Sequence, residues 1–168
     1  KTGPISLNLS VKQLENEEFL DDLMQQIKAN ALETKFIEVE VTEGQIMTDT
    51  ERSIEILQKV RDLGIEVSVD DFGTGYSSLS YLKMLPINRL KIDRSFIDGL
   101  PDDKDDYAIS KAIISLAQNL NLDVIAEGVE TKEQMEFLRD EGCSKIQGYY
   151  YSKPLDKETF EIFLKEYQ

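Results

Sequence analysis

The sequence predicts an α/β fold, an incomplete TIM-type (β/α) barrel with about six of the eight βα units present. The first observation is that short, β-branched segments alternate with amphipathic helical segments along all 168 residues, which is typical of a parallel sheet covered by helices. The second is that nearly every strand-like segment ends in a polar residue, as strands do at the mouth of a barrel. The third is length, because a full barrel takes roughly 200–250 residues.

Six segments have the length and composition of strands. They are Ile5–Leu9, Phe36–Val41, Glu66–Asp70, Arg89–Ile92, Val124–Glu127 and Lys145–Tyr149. Between them apolar residues recur three and four positions apart, as expected for helices that cover a sheet. Gly64 follows one of these patterns and is well placed as a C-terminal cap.

A doubly wound sheet shows the same alternation, but it gathers its ligand groups at one switch point. Here the polar residues follow consecutive strands, which favours a barrel. They are Asn8, Glu40, Asp70, Asp71, Lys91, Glu127 and Gln147. We therefore expect residues 1–168 to form one domain that is truncated at its N-terminus by two βα units. The open strand edges at Ile5–Leu9 and Lys145–Tyr149 predict pairing between chains or a longer parent protein.

Composition excludes several classes of function. The formal net charge is −14, so we expect no binding of DNA or RNA polymers. The absence of His excludes His-based catalysis and typical zinc sites. No apolar run approaches the ~20 residues of a membrane span. We expect this segment to be cytoplasmic and without membrane contact, in a parent protein that can itself be membrane-anchored.

Two adjacent carboxylates, Asp70 and Asp71, follow the third strand and precede Gly73 and Gly75, which allow the chain to turn. They suit a metal site, although an acidic turn explains them equally well in isolation. Alternation along the second strand predicts that Glu40 points into the barrel. A solvent-facing side chain is the alternative for Glu40.

Glu43 is expected in the loop after the second strand. There it would brace the loop at 73–80 through the hydroxyls of Thr74, Ser77 or Ser78. As with Glu40, a glutamate that simply faces the solvent is the alternative.

Lys91 lies in a strand that should be buried, where an unpaired ammonium is costly. Its simplest role is an ion pair with Asp93. Glu127 repeats the carboxylate at a strand end, Gln147 places an amide on the last strand, and Asn8 is either a ligand or a turn residue.

The carboxylates are most informative together. Glu40, Asp70, Asp71 and Glu127 are expected to meet at one barrel mouth with Lys91 as the local positive charge. Carboxylates this close repel one another unless cations lie between them. An all-oxygen ligand set selects Mg²⁺ or Mn²⁺, and two such ions are the usual device for displacement at phosphorus. A barrel enzyme with one Mg²⁺ and Lys91 as base, acting on a carboxylate substrate, also fits these residues.

The motifs, in this order, resemble the EAL-domain family of cyclic-di-GMP phosphodiesterases. The matching runs are Asn8-Leu9-Ser10, Glu40-Val41-Thr42-Glu43, Asp70-Asp71-Phe72-Gly73-Thr74-Gly75-Tyr76-Ser77-Ser78-Leu79, Leu90-Lys91-Ile92-Asp93-Arg94-Ser95-Phe96, Ala126-Glu127-Gly128-Val129-Glu130-Thr131 and Gln147-Gly148-Tyr149. The resemblance implies hydrolysis of cyclic-di-GMP to linear pGpG with two Mg²⁺ or Mn²⁺ ions. It also implies a homodimer, with an upstream sensor or GGDEF domain as a possible neighbour.

The resemblance implies a role for each matching residue. Asn8, Glu40 and Asp70 would hold one ion, and Asp70 with Asp71 the other. Glu127 would be a ligand or the base that activates water. Lys91 and Gln147 would orient the water and, with Asp71, contact the substrate, while Glu43 braces the loop that links catalysis to dimerisation.

One departure bears on activity. The Glu-Ala-Leu motif that names the family, which supplies a further metal ligand, does not occur in these residues. We therefore expect this fragment by itself to be weakly active or inactive. The alternative function is a catalytically silent module that binds cyclic-di-GMP and signals through its dimer surface.

Overall fold

The computed structural model describes residues 3–10, 13, 16, 18–75 and 79–166. Six parallel strands form one sheet in the order β1 to β6. They are β1 (Ile5–Asn8), β2 (Ile37–Thr42), β3 (Glu66–Phe72), β4 (Arg89–Ile92), β5 (Asp123–Glu127) and β6 (Lys145–Gln147). This sequential order confirms the incomplete barrel and excludes a doubly wound sheet, in which the strand order reverses. Within the described residues, β1 and β6 are the two edges of the sheet.

Seven α-helices connect or follow the strands in the described part of the chain. They are α1 (Phe19–Ala29), α2 (Glu43–Thr48), α3 (Thr50–Asp62), α4 (Leu79–Leu82), α5 (Lys104–Asn119), α6 (Lys132–Asp140) and α7 (Lys157–Glu166). Gly64 follows α3 with φ +79°, the left-handed conformation expected of a C-terminal cap. None of these helices combines the length and the apolar character that crossing a bilayer requires.

The predicted strand bounds were wrong at two places that matter for the site. β3 runs two residues beyond the predicted end at Asp70, and β6 stops at Gln147 instead of Tyr149. Glu43 was predicted in a loop, but it is the first residue of α2. Thr42 and Gln45 form a capping box there, in which each side chain bonds the backbone N–H of the other residue.

Alternation along the strands separates an apolar side of the sheet from a charged side. On the apolar side, Val39 and Val67 are fully buried in the same core as Leu57 and Val60 of α3. Glu38 and Glu40 are also buried and point to the barrel interior, as the alternation of β2 predicts. The interior of this barrel is therefore built from paired charges.

The interior charges form two layers along β4. In the layer at the N-terminal ends of the strands, the Arg89 guanidinium pairs with Glu38, with Glu66 at 3.3 Å and with Asp123 at 3.2 Å. Lys91, two residues further, belongs to the layer at the C-terminal ends. Separating Arg89 from Glu38 would leave an uncompensated buried charge, which is costly. The ion pair therefore holds β4 and β2 in a fixed relative position on either side of β3.

Candidate functional site

Lys91 is the centre of a cluster of carboxylates at the C-terminal ends of the strands. Its Nζ lies 2.9 Å from Glu40 Oε1, 3.1 Å from Asp70 Oδ1 and 2.6 Å from Glu127 Oε1. The Lys91 side chain is only 4% exposed. Asp93, the alternative partner, instead caps the short helix Arg94–Phe96 by accepting a hydrogen bond from Ser95 N. The ends of β2, β3 and β5 thus converge on a single ammonium from β4.

Burial and charge act in opposite directions on this cluster. Burial alone would lower the pKa of Lys91, but hydrogen bonds from its ammonium to Glu127 and Glu40 outweigh that effect and raise the pKa. Lys91 is therefore charged at neutral pH. Burial raises the pKa of Glu127, and the nearby Asp70 and Glu40 add to the rise, while Lys91 opposes it. Glu127 is thus a more basic carboxylate than a free one.

An irregularity in β3 brings two adjacent carboxylates to the same rim. In a regular strand, Asp70 and Asp71 would point to opposite faces of the sheet. Here the register with β4 shifts between Val69 and Phe72, and Asp71 adopts a left-handed conformation with φ +54°. As a result, carboxylate oxygens of Asp70, Asp71 and Glu127 lie within 4.8 Å of one another.

The left-handed backbone at Asp71 stores strain in a non-glycine residue, which short polar side chains tolerate best. Burial, and then repulsion from Asp70 and Asp93, raise the pKa of Asp71. A cation between these carboxylates would relieve that repulsion.

The donor set fits hard divalent cations. Three carboxylates, Glu40, Asp70 and Glu127, contact the Lys91 ammonium. Asp71 lies beside Asp70 and Glu127, so the five groups together carry a formal net charge of −3. All the acidic donors are oxygens, which Mg²⁺ and Mn²⁺ prefer. Neither His nor an exposed thiol competes for a softer metal, because the sequence has no His and Cys143 is buried.

The predicted amides reach the rim through the register of the strands. Asn8 pairs with Glu40 across β1 and β2, and Gln147 pairs with Glu127 across β5 and β6. Both side chains are exposed. Each amide therefore lies beside a carboxylate of the cluster, on the two outermost strands of the sheet.

The Glu43 side chain holds the loop after β3 by bonding to the backbone of that loop. The buried Glu43 carboxylate accepts hydrogen bonds from Gly73 N at 2.9 Å and Gly75 N at 3.4 Å. The predicted contact with the Thr74 hydroxyl was wrong, because that hydroxyl donates to the Asp71 carbonyl at 2.8 Å. Ser77 and Ser78, the other predicted partners, lie outside the described residues. A Cβ on Gly75 would come within 2.7 Å of Glu43 Oε1, so glycine is needed for this approach.

Replacing Glu43 with Gln should weaken the hydrogen bonds to Gly73 N and Gly75 N while still filling the volume of the Glu43 side chain. The amide keeps one acceptor oxygen but loses the charge that strengthens both bonds to the loop. We expect the substitution to lower unfolding free energy by about 1–2 kcal/mol and Mn²⁺ affinity by roughly 10-fold. Calorimetric titration with Mn²⁺ measures the second effect. Glu51→Gln, at an exposed position of α3, is the matched control and should change neither quantity.

Comparison with known proteins identifies the family. The family model for the EAL domain matches residues 1–154. The chain belongs to the EAL domain family. It is 43% identical over 164 residues to the cyclic di-GMP phosphodiesterase NbdA of Pseudomonas aeruginosa, covering 98% of this chain and 21% of that protein. The chain thus spans about a fifth of the length of this curated relative.

Solved EAL structures share the fold. The phosphodiesterase PaMucR, in complex with c-di-GMP, superposes with a TM-score of 0.89 at 44% identity, covering 94% of this chain and 64% of that one. BlrP1 of Klebsiella pneumoniae, in complex with manganese and cyclic di-GMP, gives a TM-score of 0.84 at 29% identity, covering 90% of this chain and 39% of that one. The incomplete barrel described above is therefore the EAL fold.

A cleft of about 460 Å³ opens beside the carboxylate cluster of this EAL domain. It lies between the ends of β5 and β6 and helix α7, and Glu127 and Gln147 line its inner end. Glu130, which pairs with Arg94 at 2.9 Å, also lines it, together with two cations and several aromatic rings. The cations and rings are Arg94, Lys153, Tyr149, Phe160 and Phe163.

The sequence analysis missed these cleft residues and took Lys91 as the local positive charge. Arg94 begins the short helix after β4 and Lys153 lies between β6 and α7, and no spacing relates one to the other. Only the fold brings them to one cleft.

Proposed function

We propose that this EAL domain hydrolyses cyclic-di-GMP to linear pGpG as a metal-dependent phosphodiesterase. The observation that carries the proposal is the convergence of Glu40, Asp70 and Glu127 on Lys91, with Asp71 beside them. Such a concentration of carboxylate is useful chiefly when divalent cations bind it. The names of NbdA and PaMucR support cyclic-di-GMP as the substrate.

Two Mg²⁺ or Mn²⁺ ions would bind this set of residues. Asn8, Glu40 and Asp70 would hold one ion, Asp70 and Asp71 the other, and Glu127 would be a ligand or a base. When bound, such ions supply a water molecule that loses its proton near neutral pH and stabilise charge on the phosphoryl oxygens. Adding two dications to the net charge of −3 gives a positive site, which suits an anionic phosphodiester.

Different side chains would accept the proton of the attacking water and orient the water and the phosphate. Attack of water on phosphorus forms one P–O bond and breaks the bond to the ribose 3′ oxygen, which leaves as a hydroxyl after taking a proton from the solvent. Glu127, whose pKa is raised by burial, would accept the proton of the water. Lys91 stays charged and would donate hydrogen bonds to a phosphate oxygen or to the water. Gln147 would orient that water from β6.

The cleft beside Glu127 supports a small dinucleotide as the substrate. Arg94 and Lys153 would face its phosphates, and the rings of Tyr149 and Phe160 would pack against a flat base. A chain with a net charge of −14 repels long polyanions. A small substrate needs only these local cations.

We also propose that the domain works as a homodimer in the cytoplasm, within a longer signalling protein. A sensor or GGDEF domain would precede it. The relative MucR of P. aeruginosa, 45% identical over 154 residues, is named as a bifunctional diguanylate cyclase and cyclic di-GMP phosphodiesterase, which supports such a neighbour.

Turnover by the full-length protein tests the proposal. With Mn²⁺, chromatography of the nucleotides should show conversion of cyclic-di-GMP to pGpG, and a chelator should stop it. Binding of cyclic-di-GMP without conversion would overturn the enzyme and favour the silent regulatory module. A lack of any phosphodiester cleavage, with proton exchange next to a carboxylate instead, would favour the barrel enzyme that uses one Mg²⁺ and Lys91 as base on a carboxylate substrate.

A further inference from the structure

Gln134 links two segments that leave neighbouring strands at the rim. It lies in the first turn of α6 and is 5% exposed. Its Oε1 accepts hydrogen bonds from Glu130 N at 2.8 Å and Thr131 N at 3.0 Å. Its Nε2 donates to the carbonyl of Ile97 at 3.0 Å. One side chain therefore caps its own helix and also holds the segment that follows β4.

The two linked segments begin at the centre of the site. Lys91 and Glu127 lie at the ends of β4 and β5, the segment after β4 runs from Asp93 to Ile97, and the segment after β5 runs from Gly128 to Thr131. Lys91 and Glu127 make the shortest ion pair of the cluster, at 2.6 Å. Pairing of β4 with β5 sets the strands themselves, and the separation of the two segments bears on Glu127, which is the last residue of β5.

The segments also contact each other through Arg94, which packs against Gly128 and forms an exposed ion pair with Glu130. Arg94 pairs with Glu130 at 2.9 Å, but the two side chains are 53% and 39% exposed. Solvent screens exposed ion pairs of this kind, so they contribute little to stability. The Gln134 bond is buried and is a direct link from α6 to this segment, whereas the other donor to the Ile97 carbonyl, Leu100 N at 3.1 Å, lies in the same segment as Ile97.

The segment after β4 also contacts the loop that follows β3, two residues after Asp71. A Cβ on Gly73 would lie 2.9 Å from the ring of Phe96, so the two loops are in close contact. Ser110 of α5 donates to the Phe96 carbonyl at 2.8 Å and holds the segment from its other side. Gln134 completes this fixation on the side of Glu127.

We infer that Gln134 is a positioning residue that holds Glu127 at its distance from Lys91 and thereby sets metal affinity and turnover. The inference rests on the proposed function. Gln134 does not itself contact the carboxylate cluster in the structure. Its effect passes through the two backbone segments that it joins.

Two variants separate this role from helix capping. Gln134→Glu keeps an oxygen for the capping bonds, since Glu serves at this position of a capping box as well as Gln does. It replaces the donor to Ile97 with a second oxygen. Thr131→Ala removes the capping hydroxyl, which accepts a bond from Gln134 N, and retains the bond to Ile97. If Gln134→Glu does not fold, Gln134→Met is compared with Thr131→Ala, because both lose capping bonds and only Gln134→Met also loses the bond to Ile97.

The measurements are Mn²⁺ titration by calorimetry, thermal unfolding, and kcat and KM of the full-length protein. We expect Gln134→Glu to weaken Mn²⁺ binding and lower kcat by roughly 10-fold each, as changes behind metal ligands typically do. Thr131→Ala should lower the melting temperature and leave Mn²⁺ affinity and kcat within about twofold, because a cap affects stability.

Equal Mn²⁺ affinity and kcat in the Gln134 variant and Thr131→Ala would overturn the positioning role and leave the phosphodiesterase proposal intact. A failure of the unaltered protein to bind Mn²⁺ would overturn both. The two failures are therefore distinguishable by the unaltered protein alone.

Discussion

Asp70→Asn should abolish measurable Mn²⁺ binding and lower turnover of cyclic-di-GMP by more than about 100-fold, the upper end for residues one step behind a ligand. Asp70 lies 3.1 Å from Lys91 Nζ and shares the carboxylate cluster with Asp71 and Glu127. It is the one residue proposed to contact both ions. Asparagine has the same shape, but it removes one charge and places an NH₂ group where an oxygen ligand is needed.

The fold should survive this change. The Asp70 side chain is 15% exposed, and its loss of charge also reduces repulsion within the cluster. Thermal unfolding without metal checks this point, and calorimetry with Mn²⁺ measures binding. Asp22→Asn, on the exposed face of α1, is the matched control. Mn²⁺ affinity in Asp70→Asn within about threefold of that control would contradict a role for Asp70 as a ligand.

The fold could be predicted from the sequence because the spacing of apolar and polar residues along each strand and helix is a local, periodic pattern. Alternation along β2 placed Glu40 towards the interior, since side chains of a strand alternate between faces. Burial of Lys91 followed from its apolar neighbours Leu90 and Ile92, both fully buried in the structure. The strand ends meet because all six strands are parallel and in sequential order.

The errors in the predicted site arose where local rules give way to tertiary structure. The left-handed backbone of Asp71 depends on the irregular register of β3 and β4, which no pattern in the sequence specifies. The bond from Gln134 to Ile97 joins residues 37 positions apart. In contrast, the helical position of Glu43 was predictable, because Thr42 and Gln45 have the spacing of a capping box.

Lys91→Met should destabilise the metal-free protein more than any surface substitution, by about 3–5 kcal/mol. Methionine fills a similar volume but leaves Glu40, Asp70 and Glu127 without the ammonium that lies within 3.1 Å of each. Saturating Mn²⁺ should restore much of this loss, because dications then balance the same carboxylates. At about 100 times its dissociation constant, a ligand contributes about 2.7 kcal/mol. Denaturant unfolding with and without Mn²⁺ measures both effects.

Lys111→Met is the matched control for Lys91→Met, because it makes the same substitution at a lysine outside the carboxylate cluster. Lys111 pairs with Glu141 at 2.9 Å, and its side chain is 50% exposed, so this change should cost far less stability than Lys91→Met and respond to Mn²⁺ as the unaltered protein does. A larger stabilisation by Mn²⁺ in Lys91→Met than in Lys111→Met would show that ammonium and metal neutralise the same carboxylates. Equal stabilisation would contradict that. Turnover separates the two proposed roles of Lys91, which are to balance the carboxylates and to donate a hydrogen bond to the phosphate or the water. If Mn²⁺ restores the stability of Lys91→Met but not its kcat, the missing function is the hydrogen-bond donor.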